Sequence, residues 1–448
     1  MQKLFTFLLA LITVFAFSGC GGGNSGNSNN QPNQKTSPGV ITISGANPRL
    51  INGTIYGQNY WSWIEGWGDT VNGALGLAQS LGIKVLRAGG GNNDRQDPES
   101  FDSRQVDEFI SYCQAVGAEP ILQVPILSGN ANNAANIVAY CNITKGYNIK
   151  YWEIGNEPDL YHDMGDRVSY TVEDYINDFN TYVDAMKAVD PQIKIVGPDL
   201  GWKYWPPDND WLTPFLNACK DKVDIISVHR YQGDAASCTI ENAMKDADKF
   251  RANLNSLQNI MNICGVSNKP LAITETHVSW EAEQQKSNQP ASPQTFYAGL
   301  WVADTIGVAL EYNLWSLLFW SISEGNTTGF VDNITFNPRP SYYAMQMYTT
   351  HFGTSMLRVV SVPSGFSVYA SRSAGNDRTI LMVINKNNSN AHETIKFQDF
   401  SFASADLEYD FPAYSLTCLS IPDGGGAMEV WSYTKDLADQ RQPPQKIQ

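Results

Sequence analysis

From residue 55 to about residue 350 the chain alternates short apolar runs with longer segments whose apolar residues recur every three or four positions. The short runs are 55-IYGQNY, 83-IKVLRA, 119-EPILQVPI, 149-IKYWEI, 193-IKIVGP, 223-VDIISVHRY, 270-PLAIT and 315-WSLLFWSI. Near-continuous apolar runs of this length suit parallel strands covered on both faces. The intervening segments carry the helical period. Over 102–117, Val106, Phe109, Ile110, Cys113 and Val116 share a face, Asp102 is placed to cap and Gly117 to stop. Over 171–191 the inner stripe is Phe179, Tyr182, Val183 and Met186, and Thr171 with Asp174 has the pattern of a capping box. Eight strand-then-helix units predict a (β/α)8 TIM barrel over residues 55–351. A doubly wound open sheet is the alternative, but it needs a glycine-rich turn after its first strand, and 57-GQNYWSW has none.

Beyond residue 352 the pattern changes. The runs 379-TILMVINKN, 392-HETIKF, 405-ADLEYDF and 414-YSLTCLSIP are short, often alternating, and separated by turn signals such as Gly375-Asn376-Asp377. They predict a small antiparallel β-sandwich with a tail over 352–448, which the strand–turn–strand segment 40–54 is expected to join. At the other end, Lys3 precedes an apolar run of signal-peptide length that closes on Phe17-Ser18-Gly19-Cys20. That ending resembles the lipobox of bacterial lipoproteins, which implies a signal peptide over 1–20, lipidation at Cys20 and a membrane as partner. Residues 21–39 are glycine-, serine- and asparagine-rich, as in a flexible tether. The expected location is outside the cytoplasm, lipid-anchored to a bacterial membrane or cell surface.

Composition narrows the partners. A formal charge of −15 argues against nucleic acid and other polyanions. Twelve Trp and 21 Tyr, with only 17% charged residues, favour neutral partners that offer flat apolar faces. With Cys20 set aside, the six cysteines Cys113, Cys141, Cys219, Cys238, Cys264 and Cys418 permit disulfides in an exported chain, or stand as buried thiols. No C-x-x-C spacing and only five His, without a His-x-His pair, argue against a metal site or metal cofactor.

Barrel chemistry gathers at the C-terminal ends of the strands. Those ends supply Asn59 (strand 1), Arg87 (strand 2), Gln123 (strand 3), Asn156 and Glu157 (strand 4), Asp199 (strand 5), His229 and Tyr231 (strand 6), Glu275 (strand 7) and Trp320 (strand 8). Two glutamates thus face each other across the mouth. One protonated and one ionised carboxyl about 5–5.5 Å apart are what a retaining glycosidase needs, and like-charge repulsion helps raise the pKa of one member. Glu281 and Glu324 lie near the same rim and compete with Glu275, and Glu153, inside strand 4, is expected to be a buried structural partner.

Together these residues resemble the retaining (β/α)8 glycoside hydrolases with catalytic glutamates on strands 4 and 7, the clan A type. Asn156-Glu157-Pro158 matches that group's Asn-Glu-Pro motif, and Ile273-Thr274-Glu275 looks like its nucleophile segment. The resemblance implies Glu157 as acid/base, Glu275 as nucleophile and Asn156 on the sugar 2-hydroxyl. It further implies Arg87 orienting the nucleophile, His229 and Tyr231 on the nucleophile or the sugar, and Trp320 as the floor of the central subsite. No cofactor is implied.

Two aromatic loops, 60-YWSWIEGW-67 and 201-GWKYWPPDNDW-211, add Trp61 and Trp205 to Asn59 as substrate-binding candidates. The expected substrate is a neutral β-glycan such as xylan, xyloglucan or another β-glucan, cleaved by a monomeric enzyme. Exo-acting β-xylosidase, arabinofuranosidase or heparanase-like β-glucuronidase action is the alternative. A uronic acid would call on Arg95, Lys203 or Arg230. A non-catalytic glycan-binding lipoprotein and a metal-dependent hydrolase are the remaining readings.

Overall fold

The structure is a computed structural model that describes residues 35–36, 39–60, 69–95, 103–205, 209–281, 289–324, 327–401 and 406–448. The signal-like segment 1–20, Cys20 and most of the tether lie outside the described residues, as does Trp61. No described helix is long and apolar enough to cross a membrane.

Eight parallel strands close into a barrel. In chain order they are Tyr56–Asn59, Val85–Ala88, Glu119–Val124, Tyr151–Ile154, Lys194–Leu200, Ile225–Tyr231, Leu271–His277 and Ser316–Phe319, called barrel strands 1 to 8 below. Each lies within or across one of the eight apolar runs. Side chains that alternate along a strand divide between the lumen and the surrounding helices. Val85, Ile121, Tyr151, Val196, Ile225, Ala272, Trp315 and Leu318 form one small apolar cluster, with the Tyr151 and Trp315 rings 4.8 Å apart. One period of two further along their strands stand Arg87, Gln123, Glu153, Ser227 and Thr274, all buried. The lumen is therefore apolar low down and polar immediately below its mouth.

The two helices with clear sequence signatures form as Ser103–Val116 and Val172–Val189. In the second, the Thr171 hydroxyl accepts from the Asp174 N–H and Asp174 reaches back to the Thr171 N–H, the full capping box.

Ten of the remaining strands build one sheet, in which Val40–Leu50 pairs antiparallel with Ser355–Val362, and the other four form two short two-stranded sheets. The expected antiparallel domain forms, with a parallel pairing inside it. Val40–Leu50 runs parallel to Ala391–Gln398, because a strand arriving from the far end of the chain is not bound by hairpin connections. The sheet is covered on both faces. Along Arg378–Asn385, Ile380, Met382 and Ile384 join the barrel's core, while Leu381 and Val383 join the second core inside the sandwich. That division explains why 379-TILMVIN lacks the polar alternation of a half-exposed strand. Helix Phe296–Glu311 lies between barrel and sheet and is buried nearly all round. Gly307 leaves room there for the Tyr369 ring, whose hydroxyl donates to Asp304 Oδ1 (2.5 Å), and Lys386 pairs with the same carboxylate at 2.7 Å.

The six cysteines considered for disulfides are free, buried thiols.

Candidate active site

Barrel strand 4 ends in a backbone that few sequences adopt. Gly155 has φ 75°, and a Cβ there would lie 2.5 Å from Ile126 Cγ2. Glu157 follows in the left-handed region at φ 50°, ψ 50°, its N–H donating to the Asp199 carbonyl at 3.0 Å. A non-glycine residue in this region is held by its surroundings at a cost of about 1–3 kcal/mol, and such residues cluster at functional sites. The surroundings are two buried aspartates. Asp94 accepts from the N–H groups of Ile126 (2.7 Å), Leu127 (3.2 Å) and Asn156 (3.2 Å) and from the Tyr161 hydroxyl, joining the loops after strands 2, 3 and 4. Asp159 accepts from Gly201 (2.9 Å), Trp202 (2.8 Å) and Lys203 (2.7 Å), joining the loop after strand 4 to the loop after strand 5.

Arg87 is the hub. Nε donates to Glu153 Oε2 (2.5 Å), Nη1 to Asn59 Oδ1 (2.9 Å) and Glu275 Oε1 (2.9 Å), and Nη2 to Asn156 Oδ1 (2.8 Å) and Asp199 Oδ2 (2.7 Å). All of the guanidinium's donors are used, and the side chain is fully buried. His229 bridges the two halves, with Nδ1 2.8 Å from Glu157 Oε1 and Nε2 3.0 Å from Asp199 Oδ2. Tyr231 donates to Glu275 Oε2 at 2.9 Å. Both oxygens of Glu275 are thus held, and an oxygen of Glu157 and one of Glu275 lie within 4.8 Å of each other.

The electrostatics follow from burial and neighbours. Burial disfavours charge on His229, but the Asp199 and Glu275 carboxylates outweigh it and hold the imidazole pKa well above its ordinary value. Burial pushes Glu153 well above the carboxylate range despite Arg87, whereas Arg87 and His229 overcome burial at Asp199 and hold it low. These two neighbouring carboxyls therefore share one proton. Glu275 is raised above its ordinary value, chiefly by burial, with His229 and Arg87 pulling the other way. Glu157, His229 and Glu275 also form a donor cluster of metal-site dimensions, in which a metal would have to displace the proton that Asp199 and Glu275 favour on His229.

The geometry revises several expected substrate contacts. Asn59 is buried beneath the mouth, its Nδ2 bonded to the carbonyls of Thr274 (3.0 Å) and Phe319 (3.3 Å). Asn59, Arg87 and His229 have their polar atoms committed to protein partners, so they support the two glutamates rather than face a ligand. Asn156, Glu157, Arg95 and Tyr161 line a small cleft at the mouth. Trp320, half-buried, donates from its indole to Glu324 Oε2 at 3.1 Å. Burial raises the Glu324 pKa to about 7, against the pull of the Trp320 indole and Arg339. Of the rival carboxylates, Glu281 accepts from the Ala235 N–H (3.0 Å) and Glu324 is buried behind Trp320. Trp205 falls in the two-residue strand Tyr204–Trp205, but its side chain is outside the described residues. The cations considered for a uronate are all paired: Arg95 with Asp166, Lys203 with Asp163 at 2.7 Å, and Arg230 with Asp246.

Sequence reasoning assigned no role to Asp94, Asp159 or Gly201. Only Asp159, two residues after Glu157, carried a local hint. Gly201 matters because a Cβ there would sit 2.8 Å from Glu157 Oε1.

Residues 142–398 match the family described as Glycosyl hydrolases family 39. An intracellular exo-α-(1→5)-L-arabinofuranosidase of Acetivibrio thermocellus is 26% identical over 208 residues, 38% of this chain and 41% of that protein. The chain thus matches only about two fifths of that relative's length. Among solved structures, CelM2, a bifunctional glucanase-xylanase from a metagenome library, superposes with a TM-score of 0.68 at 17% identity, over 87% of this chain and 100% of that one. The α-L-arabinofuranosidase of Thermotoga maritima gives 0.66 at 17% identity, over 88% and 98%. These two likenesses establish the shared barrel-and-sheet fold.

Proposed function

The chain belongs to Glycosyl hydrolases family 39, and on that premise we propose that it hydrolyses O-glycosidic bonds with retention of configuration. The observation that carries this reading is the pairing of Glu157 and Glu275 with oxygens within 4.8 Å of each other. Retaining enzymes hold their carboxyls about 5–5.5 Å apart, whereas inverting enzymes need about 6.5–9.5 Å to admit a water between them.

In the first step a Glu275 oxygen bonds to the anomeric carbon, the bond from that carbon to the leaving oxygen breaks, and Glu157 gives that oxygen its proton. In the second, water attacks the anomeric carbon, Glu157 takes the water's proton, and the bond to Glu275 breaks. Arg87 and Tyr231 hold the two Glu275 oxygens in place for attack. His229 holds Glu157 Oε1, so the proton travels through Oε2. Asn156 is anchored by its carbonyl to Arg87, which leaves its amide N–H groups for a sugar hydroxyl. Trp320 floors the central sugar.

The substrate we favour is a neutral β-glycan such as xylan, xyloglucan or another β-glucan, because Arg95, Lys203 and Arg230 are all neutralised by aspartates. An α-L-arabinofuranoside is the second reading, favoured by the curated relative. Product sizing on a polysaccharide panel, alongside aryl β-xyloside and aryl α-L-arabinofuranoside, separates the two. Release of β-linked oligosaccharides supports the first, and release of arabinose alone replaces it with the second. Cys20, outside the described residues, is read as the lipid-anchor site. A Cys20→Ser variant that stays in the membrane fraction of a bacterial host would remove that reading.

A further inference from the structure

Two indoles at the catalytic mouth are left in water. Trp202 is 55% exposed and Trp280 51% exposed, yet their rings meet edge to face with centroids 6.4 Å apart. They come from different loops, Trp202 two residues after barrel strand 5 and Trp280 three after strand 7. Neither ring gains much by packing, but both backbones are fixed. The buried Asp159 carboxylate binds the N–H groups of residues 201 to 203, and the Trp280 N–H donates to the Gly233 carbonyl at 3.3 Å. Exposed aromatic faces on a preset backbone suit a ligand with its own apolar face, since little freedom is lost on binding.

Their position identifies which part of a ligand they would meet. Trp202 follows Gly201, which lies against the Glu157 carboxylate. In the closed order of the barrel, strand 8, which carries Trp320, stands opposite strand 4, which carries Glu157. A sugar floored by Trp320 presents its scissile bond to Glu157, and the departing portion continues past Glu157 over strands 4 and 5. Trp202 stands there. We propose that Trp202 and Trp280 form a leaving-group subsite that stacks a sugar ring on the reducing-end side of the cleaved bond, and that this subsite makes the protein endo-acting on a neutral β-linked glycan. The one cation of the Trp202 loop segment 201–205, Lys203, is paired with Asp163, as a neutral sugar requires. This inference rests on the assignment of Glu157 and Glu275 above.

The test compares a polymer with a substrate that leaves the subsite empty. Wild type, Trp202→Ala, Trp280→Ala and Trp202→Phe are assayed on xylan, xyloglucan and mixed-linkage β-glucan, and on β-xylosyl and β-cellobiosyl fluoride, whose departing fluoride occupies no sugar subsite. Trp202→Ala should lose about tenfold more kcat/KM on the polymer than on the fluoride. Trp280→Ala should lose in the same direction, and Trp202→Phe should recover most of the loss. Equal losses on polymer and fluoride, or a polymer loss under about twofold, would overturn the subsite. So would a wild type that releases only monosaccharide from chain ends. A wild type inactive on all of these glycans and fluorides would remove the neutral β-glycan reading and this inference with it. Activity on the fluorides with the Trp variants unaffected on polymer would remove the subsite alone.

Discussion

Replacing Arg87 by methionine would remove the group on which both halves of the site depend. The guanidinium is fully buried, makes five hydrogen bonds at 2.5–2.9 Å, and lies between the carboxyls of Glu153, Asp199 and Glu275. Counting each charged bond at about 1.5–3 kcal/mol would approach or exceed a typical domain's whole stability of about 5–15 kcal/mol, so the bonds do not add. The better scale is a buried ion pair broken from one side, about 3–5 kcal/mol, because His229 still faces Asp199 and Glu275. At about 2–4 °C per kcal/mol this lowers the melting temperature by roughly 6–20 °C. Activity should fall by roughly 10²–10³, the usual cost of one oriented donor at a reacting charge. Arg87 also opposes the upward push of burial on Glu275, so its loss should move the acid limb of the pH–kcat/KM profile to higher pH. Arg87→Lys, which keeps the charge but not the planar fork, should fall between wild type and Arg87→Met. The assays are calorimetry and the pH–rate profile on an activated aryl glycoside. An Arg87→Met protein melting within about 2 °C of wild type, with an unmoved acid limb, would refute the reasoning.

Gly201→Ala places a methyl 2.8 Å from the Glu157 carboxylate and 2.8 Å from Leu160 Cδ1, so kcat should drop roughly 10–100-fold while the melting temperature falls little. Steady-state kinetics beside a thermal melt check this. Glu324 has a folded pKa of about 7 against an ordinary 4.5, so its proton stabilises the fold below pH 4.5 and that contribution is lost as pH rises to about 7. The displacement is worth roughly 3 kcal/mol, so Glu324→Gln should gain on wild type as pH rises from 5 to 8, read by melts at each pH. Cys113, Cys141, Cys219, Cys238, Cys264 and Cys418 are buried free thiols, so a thiol reagent should label them only after unfolding, and reductant should leave activity unchanged.

The barrel was legible because strands buried on both faces leave continuous apolar runs, and each of the eight runs overlaps a barrel strand. The mixed pairing of Val40–Leu50 was not, since partner choice between distant segments leaves no local period. At the site, rule-of-position reading placed Asn156, Glu157, Tyr231 and Glu275 at strand ends, and the structure brings them together. The same rule could not tell a residue at the mouth from one a layer below. Asn59, Arg87 and His229 end strands too, but they point their polar atoms at other protein groups. Asp94 and Asp159 were hidden for a different reason. Their role is to collect backbone N–H groups from other loops, and that depends on loop geometry alone.

The most direct test of the central claim is azide rescue of Glu275→Gly, with the product's anomeric configuration read by NMR. A small nucleophile entering the space vacated by Glu275 should restore turnover of an activated β-glycoside and yield the α-glycosyl azide, the inverted product. Rescue that gives the β-azide, or a Glu275→Gly protein hydrolysing at the wild-type rate without azide, would contradict the assignment of Glu275 as nucleophile and Glu157 as acid/base.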